Sequence, residues 1–201
     1  GIASRGLGDV YKRQALYKSL LIGVSSATIS TVFGLLIAIA FVRFSVFKGR
    51  LILSLVASAP LVMPEAVTGL SMLLLFIAME ISFGWPSGRG VDTIMIAHAT
   101  FGMCFAAVVI QTRLRDMDKY LEEAARDLGG RQPFVFLSIT LPLILPSIIA
   151  AWLLSFTLSF DDLVIASFVS GPGSSTLPIV IFSKIRLGVS PEINAIATLM
   201  I

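Results

Sequence analysis

Three carboxylates stand where carboxylates are costly. Glu65 follows Pro60 and Pro64 inside a long apolar stretch, and Asp161 and Asp162 close another. An acid placed within a membrane span costs about 3 kcal/mol on insertion scales and normally faces a bundle interior or a wet pathway. A proline-broken helix is tolerated where its backbone lines a cavity. If the three acids converge, they give a small organic dication oxygen partners and a favourable local potential. Two plainer roles stay open. Asp161 and Asp162 can cap the helix that follows or sit at the outer headgroup level, and Glu65 can pair with a basic residue of another subunit. His98 is the other ionisable group inside an apolar run. A proton relay through it needs a chain of partners, and none is near in sequence. A neutral histidine hydrogen-bonded to a neighbouring helix is the better reading.

A second group of residues carries a different pattern. From Asp118 the chain reads Asp118-Lys119-Tyr120-Leu121-Glu122-Glu123-Ala124-Ala125-Arg126-Asp127-Leu128-Gly129. Asp118 suits an N-cap, and Glu122 and Glu123 fall near the positive end of the helix dipole. Tyr120, Leu121, Ala124, Ala125 and Leu128 share one face, and Gly129 or Gly130 can end the helix. Pro133 suits the first position of a second short helix, Phe134 to Ile139, which leads into Leu141-Pro142. The apolar face is small and shallow, as a surface docking into another protein's groove would be. Other chemistries lack their residues. No phosphate-cradling G-x-x-x-x-G-K-[ST] occurs, so ATP hydrolysis belongs elsewhere. With one Cys and one His there is no metal cluster, and no cofactor is expected. The chain is not read as an enzyme.

The elements that position these residues follow from composition. Of 201 residues, 56 % are hydrophobic and only 13 % charged, against about 25 % charged in soluble domains. The net charge of +3 is too small an excess to suggest nucleic acid, and the lone Cys104 excludes a disulfide scaffold. The partner implied is the lipid bilayer. About 20 apolar residues cross it. Spans are expected over Ser19 to Val42, Thr93 to Gln111 and Leu141 to Phe160. The stretch Leu51 to Phe83 breaks at Pro60, Pro64 and Glu65 into a short helix and a second half from about Ala66 to Met79. Basic residues then set the orientation. Arg43, Lys48 and Arg50 follow the first span, and Arg113, Arg115, Lys119, Arg126 and Arg131 follow the third, so both loops face the cytoplasm. The loop around Trp85-Pro86-Ser87-Gly88 lies outside, with the residues before Ser19. Gly23, Ser26, Ser30 and Gly34 recur along one side of the first span and permit close helix packing. The run Gly171 to Thr176 is an external loop, followed by a short interfacial helix over Leu177 to Leu187 with Lys184 and Arg186 toward water.

Residues 1–14 differ in character from the rest and resemble a translated sequencing-adapter scar, leaving 15–201 as the domain. An outside start, and an apolar run beginning near Ile193 that is too short to cross, suggest truncation at both ends of a six-span protein.

The spacing in the second cytoplasmic loop is specific. Glu123-Ala124-Ala125, three residues, Gly129, nine residues, Ile139, one residue and Leu141-Pro142 resembles the EAA loop of permease subunits of ATP-binding-cassette importers. The segments Ala59 to Glu65, Ser159 to Phe168 and Pro191 to Ala195 are similar to those of polyamine-type permeases, nearest to the putrescine ones, from about Ala15 onward. Position 65 carries Glu where that group more usually has Asp, which keeps the charge and lengthens its reach. The resemblance implies an all-α polytopic helical bundle of the type I permease kind in a bacterial inner membrane. It implies that residues 113–139 form a coupling loop, with Glu123 as anchor and Ala124, Ala125 and Gly129 leaving room for close docking. It also implies a second permease as heterodimer partner, an ATPase dimer and a periplasmic substrate-binding protein, which the face following Gly171 would meet. Spermidine, an iron chelate, thiamine or an opine-like compound are the alternative cargoes. An ion-coupled secondary transporter and a membrane scaffold are the alternatives of another class.

Overall fold

The computed structural model describes residues 2–44, 46–118 and 120–187, with side chains from Tyr11 onward. Lys119, the Pro191 to Ala195 segment and the run from Ile193 lie outside the described residues. The described residues form nine α-helices: α1 (Ile2–Arg43), α2 (Arg50–Val62), α3 (Glu65–Phe83), α4 (Val91–Arg115), α5 (Tyr120–Asp127), α6 (Gln132–Val135), α7 (Leu141–Phe160), α8 (Val164–Val169) and α9 (Leu177–Leu187). A π-helical turn, Phe136–Thr140, joins α6 to α7. Among the described residues four segments are long and apolar enough to cross a membrane: Tyr11–Arg43, Glu65–Phe83, Val91–Arg115 and Gln132–Phe160. The helix of the first span runs back through residues 2–14 without a break.

The expected break in the second apolar stretch is present at Met63-Pro64, whereas Pro60 lies inside α2, and the cause of the break is local. Met63 is extended, with φ −78° and ψ 141°, the conformation imposed on a residue that precedes proline. Pro64 then opens α3, its carbonyl accepting from Val67 and Thr68. Glu65 occupies the first turn, where a negative charge complements the helix dipole. One expectation needs correction. Phe134 to Ile139 is not a separate helix, because α6, the π turn and α7 run on as one rod from Gln132 to Phe160. Leu141 N–H reaches back five residues to the Phe136 carbonyl. The wider turn lies just before Pro142, whose ring would strike the carbonyl four residues behind it in a regular helix.

The core is built by α1, α4 and α7. Ser26 Oγ donates to the Met95 carbonyl at 3.2 Å and Ser30 Oγ to that of Ala99 at 3.0 Å, so α1 and α4 run parallel. Ser155 on α7 reaches the Gly102 carbonyl at 3.4 Å and Ser159, four residues on, meets His98, four residues back, which sets α7 antiparallel to α4 and so to α1; Trp152 Nε1 donates to Thr28 at 3.1 Å. The small-residue side of α1 is therefore its packing side. A methyl group at Gly34 would lie 2.6 Å from Ala106 Cβ and 2.9 Å from the Ala107 backbone nitrogen. Gly34→Ala is expected to force α1 off α4 and to destabilise the subunit by about 1–3 kcal/mol, as overpacking does. The readout is the melting midpoint in detergent, and an unchanged midpoint would show that the glycine does not set the spacing.

The two ends of the bundle separate as the charge pattern requires. At one end Arg43 pairs with Glu122, bringing the two basic loops together. At the other, Leu177 N–H donates to Ser19 Oγ at 2.8 Å and Lys18 to the Gly173 carbonyl. Short helix α8 lies against α3 and α4, and the buried Thr93 hydroxyl bonds the Val169 carbonyl at 2.7 Å. The outward faces of α1, α3 and α7 leave large apolar side chains such as Phe33, Leu74 and Leu153 exposed, as a lipid-facing surface does.

Candidate functional site

At the end of the bundle that carries the two basic loops α5 forms as its caps dictate. Asp118 Oδ1 accepts from Tyr120 N–H at 2.9 Å. At the other terminus Gly129 takes φ +86°, and Gly130 N–H reaches the Ala125 carbonyl at 3.0 Å, the six-to-one bond of a glycine-terminated helix. Glu123 and Ala124 are exposed and Ala125 is half-buried. Tyr120, Leu121 and Leu128 are also exposed, Leu128 by 90 %. The short helix thus presents Glu123 and an apolar face to its surroundings, with nothing among the described residues covering them.

The neighbouring acid does the opposite. Glu122 is only 4 % exposed, and its two carboxylate oxygens accept from the two terminal nitrogens of Arg43. Thr140 Oγ1 donates to the same carboxylate, and Arg126 stands 3.8 Å away. The Arg43 hydrogen bonds hold the Glu122 carboxyl below the usual carboxylate range against the opposing effect of burial, with Thr140 and the positive charges of Arg43 and Arg126 adding to the shift. A cavity of about 390 Å³ opens beside this cluster, between Phe44, Pro133 and Phe136. Sequence reasoning missed this arrangement. The only local hint was the helical i, i+4 spacing of Glu122 and Arg126; nothing in the chain singles out Arg43 or Thr140.

The structure places the three pathway acids unequally. Glu65 is exposed at the start of α3 and takes part in no side-chain hydrogen bond or ion pair among the described residues. Asp161 is exposed at the end of α7, beside Asp162. The Asp162 side chain is 7 % exposed and its Oδ2 lies 3.0 Å from His98 Nε2. The Asp162 carboxylate also accepts from Ile165 N–H at 3.2 Å and Ala166 N–H at 2.7 Å, so it caps α8. No hydrogen bond or ion pair among the described residues joins Glu65 to Asp161 or Asp162.

His98 lies roughly 10 Å along α4 from its outer end, and its Nδ1 is 2.7 Å from Ser159 Oγ on α7. The hydrogen bond to a neighbouring helix is thus present, and so is a chain of partners that the sequence did not reveal. An ionised Asp162 accepts only, so Nε2 carries its hydrogen; with a neutral ring, Ser159 O–H then donates to Nδ1. The ring ties α4, α7 and the start of α8 at one point.

Residues 30–201 match the family described as the binding-protein-dependent transport system inner membrane component. Putrescine transport system permease protein PotI of Escherichia coli strain K12 is 50 % identical over 205 residues, covering 100 % of this chain and 73 % of that protein. Spermidine/putrescine transport system permease protein PotC of Haemophilus influenzae is 41 % identical over 188 residues, covering 94 % of this chain and 70 % of that one. The crystal structure of an amino acid ABC transporter superposes with a TM-score of 0.69 at 21 % identity, covering 100 % of this chain and 92 % of that chain, a likeness of fold.

Proposed function

Because this chain belongs to the binding-protein-dependent transport system inner membrane components, the multi-pass permease subunits of ATP-binding-cassette importers, we propose that its cargo is a polyamine and, within that class, putrescine. The observation that carries this reading is the 50 % identity to PotI over the whole chain. The likeness to PotC, at 39–41 %, favours spermidine as the second reading. A second permease subunit completes the pathway, a periplasmic binding protein delivers the cargo, and a pair of ATPase subunits hydrolyses ATP. The permease needs no cofactor of its own.

In this reading residues 15–201 are the permease domain, residues 1–14 an appended stretch, and residues 113–139 the coupling loop. Glu123 and the exposed apolar face of α5 dock on the ATPase, with Ala124 and Ala125 keeping the contact shallow. Gly129 supplies the left-handed turn that ends the docking helix. Asp161 and Glu65, both exposed beside apolar helices, present carboxylates to a passing dication, and Asp162 contributes negative charge behind them. The supporting physics is that exposed acids at membrane depth are stable only beside water or a cation.

Uptake of labelled putrescine by the importer assembled in proteoliposomes tests the cargo. ATP-dependent uptake that excess spermidine barely inhibits is the expected result. An assembled complex that hydrolyses ATP and imports no putrescine would discard the polyamine reading.

A further inference from the structure

We propose that Glu122, rather than the exposed Glu123, is the joint through which movement of α5 reaches the membrane spans. The inference rests on the assignment of residues 113–139 as the coupling loop. Among the α5 residues Tyr120, Leu121, Glu123, Ala124 and Arg126 are exposed, while Glu122 is buried. Its carboxylate holds the two elements that α5 would have to move. Arg43 is the last residue of α1 and grips both oxygens, a two-point contact that fixes direction as well as distance. Thr140 is fully buried in the π turn at the head of α7 and holds Glu122 through its hydroxyl.

Those two helices are the ones locked to α4 farther out. Ser30 bonds the Ala99 carbonyl and Ser155 that of Gly102, so a displacement of Arg43 and Thr140 passes to a packed three-helix body. Without the carboxylate, α5 would keep its caps, its docking face and its chain connections. Among the described residues it would lose the one polar link that makes α1 and α7 follow it. Glu122 is therefore a positioning residue for coupling, and Arg43 and Thr140 are its receivers.

The test uses the importer assembled with its partner permease, ATPase and binding protein in proteoliposomes, and measures putrescine imported per ATP hydrolysed. Glu122→Gln is expected to leave co-purification of the ATPase and ATP hydrolysis in place while import per ATP falls roughly tenfold. Exchanging the charges, with Arg43→Glu and Glu122→Arg together, is expected to recover a large part of the ratio. An unchanged ratio in Glu122→Gln would overturn the proposal. So would a parallel fall in hydrolysis and import, which marks a plain structural anchor. If Glu122→Gln fails to assemble, Thr140→Val decides, since it removes one hydrogen bond and no charge; a normal ratio there overturns the joint. Should the parent importer hydrolyse ATP without importing putrescine, the cargo reading fails separately. The joint is then read from the same ratio with labelled spermidine as cargo, which Glu122→Gln should lower roughly tenfold with hydrolysis in place and which would stay unchanged if the proposal is wrong.

Discussion

Replacing Asp162 by alanine is expected to destabilise the subunit by roughly 2–4 kcal/mol, whereas Asp162→Asn retains most of its stability. The alanine variant loses the acceptor for the Ile165 and Ala166 amides that start α8 and strands His98 Nε2 in a buried site. Asparagine still offers a carbonyl oxygen to cap the helix. Asp161→Asn is expected to behave in the reverse manner. Its side chain is exposed and ties no helix to another, so the fold should stand. Removing its charge should raise the half-saturating concentration of a dicationic cargo by about tenfold, the loss of one modest charge contact. Melting midpoints in detergent and the concentration dependence of uptake separate the two residues. A normal midpoint for Asp162→Ala would remove its structural role, and parent-like uptake by Asp161→Asn would remove Asp161 from the pathway.

The second large effect is expected at Gly129. With φ at +86°, any residue with a Cβ pays about 1–2 kcal/mol to hold the left-handed turn, and a β-branched one pays more. Gly129→Val should therefore unwind the last turn of α5 and swing Leu128, Arg126 and the docking face away from their present positions. No neighbouring atom would meet the new Cβ, since nothing lies within 4 Å of it; the effect comes from the backbone alone. The ATPase should co-purify in markedly smaller amount, while Gly129→Asn, which tolerates the left-handed region, should restore much of it. Normal co-purification of the valine variant would show that the geometry of this turn does not govern docking.

Much of the architecture is legible residue by residue because its causes are local. Apolar length marks α1, α3, α4 and α7. Pro64 forces Met63 out of helix, and Asp118 and Gly129 bound α5 through bonds to residues a few positions away. That the two basic loops share one end of the bundle also follows from composition, since Arg43, Arg113 and their neighbours cluster in alternate connections. Phe134 to Ile139 reads as a separate short helix leading into Leu141-Pro142, and only the packed rod shows that a π turn carries the helix past Pro142 without a break.

The sites divide differently. The acids, the apolar face of α5 and the glycine stop could be named from spacing, but their roles could not be told apart. Glu122 and Glu123 are adjacent and chemically identical, yet one residue rotates a helix by about 100°, which turns one inward and the other out. Which of them is buried depends on Arg43, 79 positions away. The same holds for Asp161 and Asp162, sorted by His98, 64 positions from Asp162. The chain alone determines that this is a helical membrane protein with acids inside or beside its apolar stretches and a short glycine-stopped helix between two spans, because hydrophobic length, charge placement and caps act over a few residues. Only the tertiary structure decides which acid serves the fold and which faces outward, because that depends on distant helices arriving at the same point.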